Sequence, residues 1–143
     1  KLHAGPIWDF YLGFGNGFDC DRQNDVGFAL DFTRKCDDHR YYPVFWWEVM
    51  LADSAFTREL KCRWTALRED VLHRDSLWNF VDENAALLAP AAERNFKRWT
   101  VLGVEIWPNV FFAKTFEEEI DFLKSWIDRR LLWLDENIPG TCY

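Results

Sequence analysis

Residues 115–138 read TFEEEIDFLKSWIDRRLLWLDENI. Thr115 followed three residues later by Glu118 is a T-x-x-E capping box, in which each residue satisfies an otherwise unpaired donor at a helix start. Glu117, Glu118 and Glu119 suit the positive end of the helix dipole. Phe116, Ile120, Leu123, Ile127, Leu131 and Leu134 then fall on one stripe at helical spacing, flanked by Trp126 and Trp133. Pro139 and Gly140 stop the run. This signature makes the chain mainly α.

Upstream, the helical pattern continues. Thr100 to Lys114 is a connector containing Gly103, Pro108 and Asn109. Before it, Asp75 or Ser76 caps a helix whose face is traced by Leu77, Phe80, Val81, Asn84, Leu88, Ala92 and Phe96. Pro90 inside that pattern predicts a kink or the start of a new helix. Asp53 or Ser54 caps the preceding helix, with Phe56, Leu60, Trp64, Leu67 and Val71 inward and Arg58, Lys61, Arg68 and Glu69 largely off that face. Val44 to Leu51 (VFWWEVML) reads as a short buried helix, with Pro43 suited to its first turn. Five of the seven glycines lie at or before Gly27, and none occurs from Phe28 to Leu102. Residues 1–42 therefore read as strand and glycine-rich loop, with Ala4 to Phe10 a short strand, and residues 43–143 as a bundle of about four helices. The whole is a single domain or a domain fragment.

Composition narrows the function. The 143 residues carry a net charge of −7, so the chain is a poor partner for nucleic acid, whose phosphates need basic groups to displace counterions. No apolar run approaches the ~18 residues of a membrane span, and no signal peptide is visible. The first residue is Lys1 and not Met, which we read as a fragment or a processed piece. Thirteen Phe and nine Trp give the chain enough apolar area for a large core. Trp46, Trp64, Trp78, Trp126 and Trp133 sit in helical runs and read as packing; Trp107 reads as an anchor of the connector on the helices.

The cysteines Cys20, Cys36, Cys62 and Cys142 include no C-x-x-C, which disfavours a zinc ribbon. Cys20 and Cys36 flank a polar, loop-like stretch with little core of its own, and a disulfide there would restrain it. Two free thiols are the alternative, and a pairing of Cys62 with Cys142 is the less favoured arrangement, since sequence alone does not fix connectivity. A Cys20–Cys36 bridge implies an oxidising compartment.

Few residues carry chemistry by themselves. Asp9 ends an apolar strand before a glycine-rich turn, which suits a metal or phosphate site or a plain Asx turn. Gly13, Gly15 and Gly17 form G-x-G-x-G with no Gly-Lys-Ser/Thr after it, so a flexible loop is the better reading. Asp19, Asp21, Asn24 and Asp25 lack the glycine and glutamate of a calcium loop: its sixth position is Asn24 and its twelfth Leu30. They read, like Asp37, Asp38 and His39, as a solvated acidic loop. His73-Arg74-Asp75 spells a kinase-like H-R-D, but Asn79 stands four residues on instead of five, and the triplet lies between helices, where Asp75 serves as a cap.

Several segments together resemble one family. GPIWDFYLGFGN (Gly5 to Asn16), LKCRWTALREDVL (Leu60 to Leu72), AAERNFKRW (Ala91 to Trp99), IWPNVFF (Ile106 to Phe112) and the final helix are similar, in order and approximate spacing, to the C-terminal half of the CotH family. That is the family of the spore-coat kinase CotH, found also in secreted bacterial proteins. The resemblance implies the C-lobe of an atypical protein-kinase-like fold that binds ATP with Mg²⁺ or Mn²⁺ and phosphorylates proteins. It makes Trp8-Asp9-Phe10 the counterpart of the kinase D-F-G element and Asp9 the metal ligand and cofactor-binding residue. Family members often carry Asp or Asn two residues later, where this chain has Tyr11. The catalytic Asp loop and nucleotide-binding lysine of the family lie upstream of W-D-F, so no catalytic residue is assigned here, and activity belongs to the full-length parent.

The resemblance also implies an extracellular or cell-surface location, protein substrates, and the Cys20–Cys36 region in the place of an activation segment. A surface left by a missing N-terminal half would be apolar and predicts either a homodimer through it or poor solubility. The competing reading is a non-catalytic extracellular module that binds protein or glycan.

Overall fold

The computed structural model describes residues 11–18, 23–31 and 45–143. Four helices organise them: α1 (Trp46–Ala52), α2 (Ser54–Arg68), α3 (Arg74–Arg98) and α4 (Phe116–Asn137). Short 3-10 turns span Tyr11–Phe14 and Ala29–Asp31. No strand occurs among the described residues, so the mainly α reading holds; the strand expected over Ala4 to Phe10 lies outside them, as does Pro43.

Local chemistry sets the helix starts. Asp53 is the cap of α2: its Oδ1 accepts from the Phe56 amide at 2.9 Å. Thr115 Oγ1 accepts from the Glu118 amide at 3.2 Å at the start of α4. The glutamate of that box reaches one residue further back than usual, accepting from the Lys114 amide at 2.7 Å. At α3 the expectation is corrected: neither Asp75 nor Ser76 caps it. His73 does, through Nδ1, which accepts from the Asp75 amide at 3.3 Å. Asp75 moves into the first turn, where its charge meets the helix dipole.

Pro90 does not start a new helix; α3 runs through it from Arg74 to Arg98. A proline leaves the carbonyl four residues before it without a helical donor. Here that residue is Ala86, which is exposed, so water can take the bond.

Burial departs from the large core expected. Among the described residues only Ala113, Trp126 and Leu131 are buried apolar side chains. The short helix α1 has no buried residue, and Phe45 beside it is 80% exposed. On α3, Phe80 and Leu88 of the expected inward face are exposed, and so is Val71 after α2. The reason is geometric. Periodicity identifies an apolar face, but burial needs a second element over that face, and among the described residues the helix contacts are chiefly α1 with α2 and α3 with α4.

The ends of α2 and α4 are joined by polar and covalent links. Asp135 on α4 accepts from Trp64 Nε1 at 2.8 Å and from Arg68 Nε at 2.9 Å and Nη2 at 3.1 Å. Lys61 Nζ donates to the Asp135 carbonyl at 2.7 Å. Lys61 and Arg68 thus belong to the packed side of α2, against the sequence reading. A disulfide joins Cys62 to Cys142, the pairing that spacing alone disfavoured. Past α4, Gly140 adopts φ +99°, and a Cβ there would lie 2.2 Å from the Thr57 carbonyl oxygen, so the tail lies directly on the backbone of α2. Among the described residues no helix is long and apolar enough to cross a membrane.

Candidate functional site

Residues 11–18 begin two positions after Asp9 in the sequence, and they are held in place by specific contacts. Gly15 has φ +80°, a left-handed conformation that glycine adopts without penalty. A Cβ on Gly15 would meet Trp126 Nε1 at 2.2 Å, so the turn backbone lies flat against the indole of α4. Phe14 packs edge-on to the same ring at 5.7 Å between centroids. Asn16 Oδ1 accepts from the amides of Val110 at 3.0 Å and Phe111 at 3.3 Å. Phe18 lies edge-on to Trp107, 6.4 Å between centroids. The flexible-loop reading of GFGNG is therefore corrected: the stretch is docked. Trp107 is corrected too, being exposed and set against Phe18, not against the helices.

The connector that receives Asn16 is itself anchored to α4. Phe111 stacks on Phe122 at 4.3 Å with an 8° interplanar angle. The Ala113 amide donates to Glu119 Oε1 at 3.2 Å, and Gly103 N–H to the Ala113 carbonyl at 2.7 Å. Ala113 is consequently the most buried apolar residue described. Segments about 95 residues apart in sequence thus meet over the N-terminal half of α4.

A second polar centre lies between α3 and α4. Lys124 is 9% exposed, paired with Asp82 and placed 4.7 Å from the centre of the Trp78 ring. Arg74 lies over the same ring at 3.9 Å and donates to Asp128, which also accepts from Trp78 Nε1 at 2.9 Å. Each cation of this group has a carboxylate or ring partner, an arrangement that satisfies buried charge and holds the two helices together. It offers no free nucleophile.

A third set ties the 23–31 segment to α4. Arg130 Nη1 donates to the carbonyls of Asp25 at 3.1 Å and Gly27 at 2.8 Å, and Arg129 pairs with the Asp25 carboxylate. Burial pulls the Arg130 guanidinium below its ordinary value, opposed by the charge of Asp25. Asp25 is therefore an ion-pair partner and not part of a merely solvated loop. Phe28, Trp46, Trp47, Met50 and Phe56 line an apolar groove of about 330 Å³ nearby.

Asp9, Cys20 and Cys36, the site residues read from sequence, lie outside the described residues. His73-Arg74-Asp75 is brought into no site: His73 caps α3, and Arg74 serves Asp128. Among the described residues no group of three or more His, Cys, Asp or Glu could hold a metal. Sequence reasoning missed Asn16 as a bridging acceptor. The signal available was an Asn directly after a glycine, in a segment shared with the resembled family.

Residues 1–134 match a family model described as CotH kinase protein. No curated protein and no solved structure matches the chain.

Proposed function

The chain belongs to the CotH kinase protein family, and from that membership we propose that it is the helix-rich C-terminal portion of a secreted protein kinase, whose full-length form phosphorylates proteins with ATP and a divalent cation. The family match over residues 1–134 carries this reading. Asp9 is its metal-binding residue, the D-F-G-like carboxylate: a hard oxygen donor of the kind Mg²⁺ and Mn²⁺ take. The cation, when bound, neutralises charge on the nucleotide phosphates. The chain's own task is to present the carboxylate in one place, because phosphoryl transfer depends on positioning and charge neutralisation by several groups at once. The docked turn at residues 11–18 fits that task. Tyr11 replaces a second carboxylate or amide, which leaves Asp9 as the acidic ligand of this segment. The nucleotide-binding lysine and catalytic base of the family belong upstream of W-D-F, so transfer requires the full-length protein.

The Cys62–Cys142 disulfide supports an oxidising compartment, and a Cys20–Cys36 bridge belongs to the same proposal. A homodimer through exposed apolar side chains is its companion; a monodisperse monomer in light scattering refutes it. The second reading, a module that binds protein or glycan without catalysis, is favoured by one observation, the aromatic-lined groove at Trp46 and Trp47.

Calorimetry of ATP with Mg²⁺ or Mn²⁺ on the full-length protein, with and without Asp9→Ala, separates the two. Binding that Asp9→Ala abolishes supports the kinase reading. Absence of binding in the unaltered protein refutes it and turns the search to protein and glycan ligands.

A further inference from the structure

We infer that the side of α3 turned away from α4 is a self-association surface: it pairs antiparallel with α3 of a second copy of this chain, Glu83 of each copy against Arg94 of the other. The inference rests on the homodimer proposed above and gives it a place and a direction.

One side of α3 is already occupied. Trp78 donates to Asp128, Asp82 pairs with Lys124, and Phe96 lies 6.3 Å from Phe116 between ring centroids, all of them contacts with α4. Leu87 stands nine residues from both Trp78 and Phe96, which is about two and a half turns, so it lies on the opposite side of the helix. The side chains there are apolar and bare. Leu87 is 76% exposed and Phe80 65%, with Leu88 and Ala91 exposed beside them. Phe80, Leu87 and Ala91 recur at i, i+7 and i+11, the spacing of a helix-packing seam and not of scattered surface residues. Among the described residues the chief helix partner of α3 is α4, on the other side.

Charge selects the occupant. Glu83 and Arg94 flank Leu87 on one edge of this seam, eleven residues or about 16 Å apart along the axis. Both are exposed, and among the described residues neither has an ion-pair partner. The seam thus carries an unpaired acid toward its start and an unpaired base toward its end. A two-fold axis midway between them, at Leu88 and Ala89, sets a second α3 antiparallel to the first. Each Glu83 then faces Arg94 of the other copy, and Leu87 and Leu88 of both copies meet at the centre. A parallel pair would instead set Glu83 beside Glu83 and Arg94 beside Arg94. Apolar burial supplies the association, and the ion pairs, which add little affinity, set its direction. A single helix pair makes a small interface, so the dimer is weak and depends on concentration.

The test is sedimentation velocity of the full-length protein over about 1–1000 μM, a range that covers small interfaces. The forms are unaltered, Leu87→Glu, Glu83→Arg, Arg94→Glu, and an equimolar mixture of the last two. The unaltered protein is expected to dimerise with rising concentration, and Leu87→Glu to stay monomeric. Glu83→Arg alone and Arg94→Glu alone each set like charges against one another twice, and each should weaken the dimer about tenfold. Their mixture restores both opposite-charge contacts and should recover the unaltered affinity within about threefold. All three positions are exposed, so melting temperatures should stay near that of the unaltered protein, and the recovery on mixing reports the contact even if one variant is less stable.

A monomer at every concentration refutes the homodimer and this surface together, and leaves the face to another segment of the full-length chain. A dimer that Leu87→Glu does not weaken keeps the homodimer and removes this surface. Single charge reversals without effect, or a mixture that does not recover, overturn the antiparallel pairing of Glu83 with Arg94. ATP binding is measured separately, so none of these outcomes bears on the kinase reading.

Discussion

Replacing Gly15 with alanine should be among the most damaging single changes in the chain, although it adds one methyl group. Two effects combine. At φ +80° an L-residue with a Cβ pays about 1–2 kcal/mol. The new Cβ would also stand 2.2 Å from Trp126 Nε1 and 2.3 Å from its Cδ1, where ordinary carbon contacts need about 3.5–4.0 Å. Trp126 is 7% exposed and α4 is anchored at both ends, so the ring cannot simply swing away. Forcing a methyl into such a contact costs about 1–3 kcal/mol, and the sum is about 2–5 kcal/mol. Two neighbours calibrate the measurement. Gly103 has φ +72°, but a Cβ there would come no nearer than 3.7 Å to Lys114 Cγ, so Gly103→Ala isolates the backbone strain at about 1–2 kcal/mol. Gly13 has nothing within 4 Å, so Gly13→Ala should be neutral within about 0.5 kcal/mol or slightly stabilising. Urea unfolding followed by tryptophan fluorescence reads all three. If Gly15→Ala costs no more than Gly103→Ala, the turn is not seated on Trp126 and the reasoning about its docking is wrong.

Breaking the Cys62–Cys142 bridge with Cys142→Ser releases a constraint across 80 residues of sequence, worth about 4.5 kcal/mol in the loop-entropy account; a loss under about 1 kcal/mol in urea unfolding refutes that account here. Asp135→Ala leaves the half-buried Arg68 guanidinium and the Trp64 N–H without their shared acceptor and should cost about 1–3 kcal/mol in the same assay, whereas the exposed Lys97→Ala should cost under about 0.5 kcal/mol; equal effects would deny Asp135 its linking role. Hydrogen bonding and charge from Lys97 hold the Glu93 carboxyl below its ordinary value of 4.5. The folded-state value is the depressed one, so this contribution is present above about pH 4.5 and fades as pH falls through the lower folded value. Carboxyl NMR should show Lys97→Ala returning the Glu93 titration upward, and an unmoved titration contradicts the pairing.

The readable part of the fold was the part governed by neighbours in sequence. Thr115 with Glu118 marked the start of α4, and Asp53 that of α2, because a cap acts on amides two or three residues away. His73 took the cap of α3 from Asp75 because an imidazole nitrogen can accept the same amide bond, and the sequence holds several candidate acceptors within three residues. For the candidate site, Asp9 was singled out by residue type and family resemblance, but Asn16 looked like ordinary loop. Its role depends on two amides 94 and 95 residues away.

From the sequence alone came the mainly α class, the helix boundaries near α2 and α4, the acidic balance that makes the chain a poor partner for nucleic acid, and the family. These rest on periodicity, capping and composition, which are local or additive. The tertiary structure decided which faces are covered, that Cys62 pairs with Cys142, that Lys61 and Arg68 turn to Asp135, and that GFGN is a docked turn. Those outcomes depend on which distant element arrives over a given face. An exposed Leu88 and a buried Leu131 share the same helical periodicity, and only the presence of a packing partner separates them.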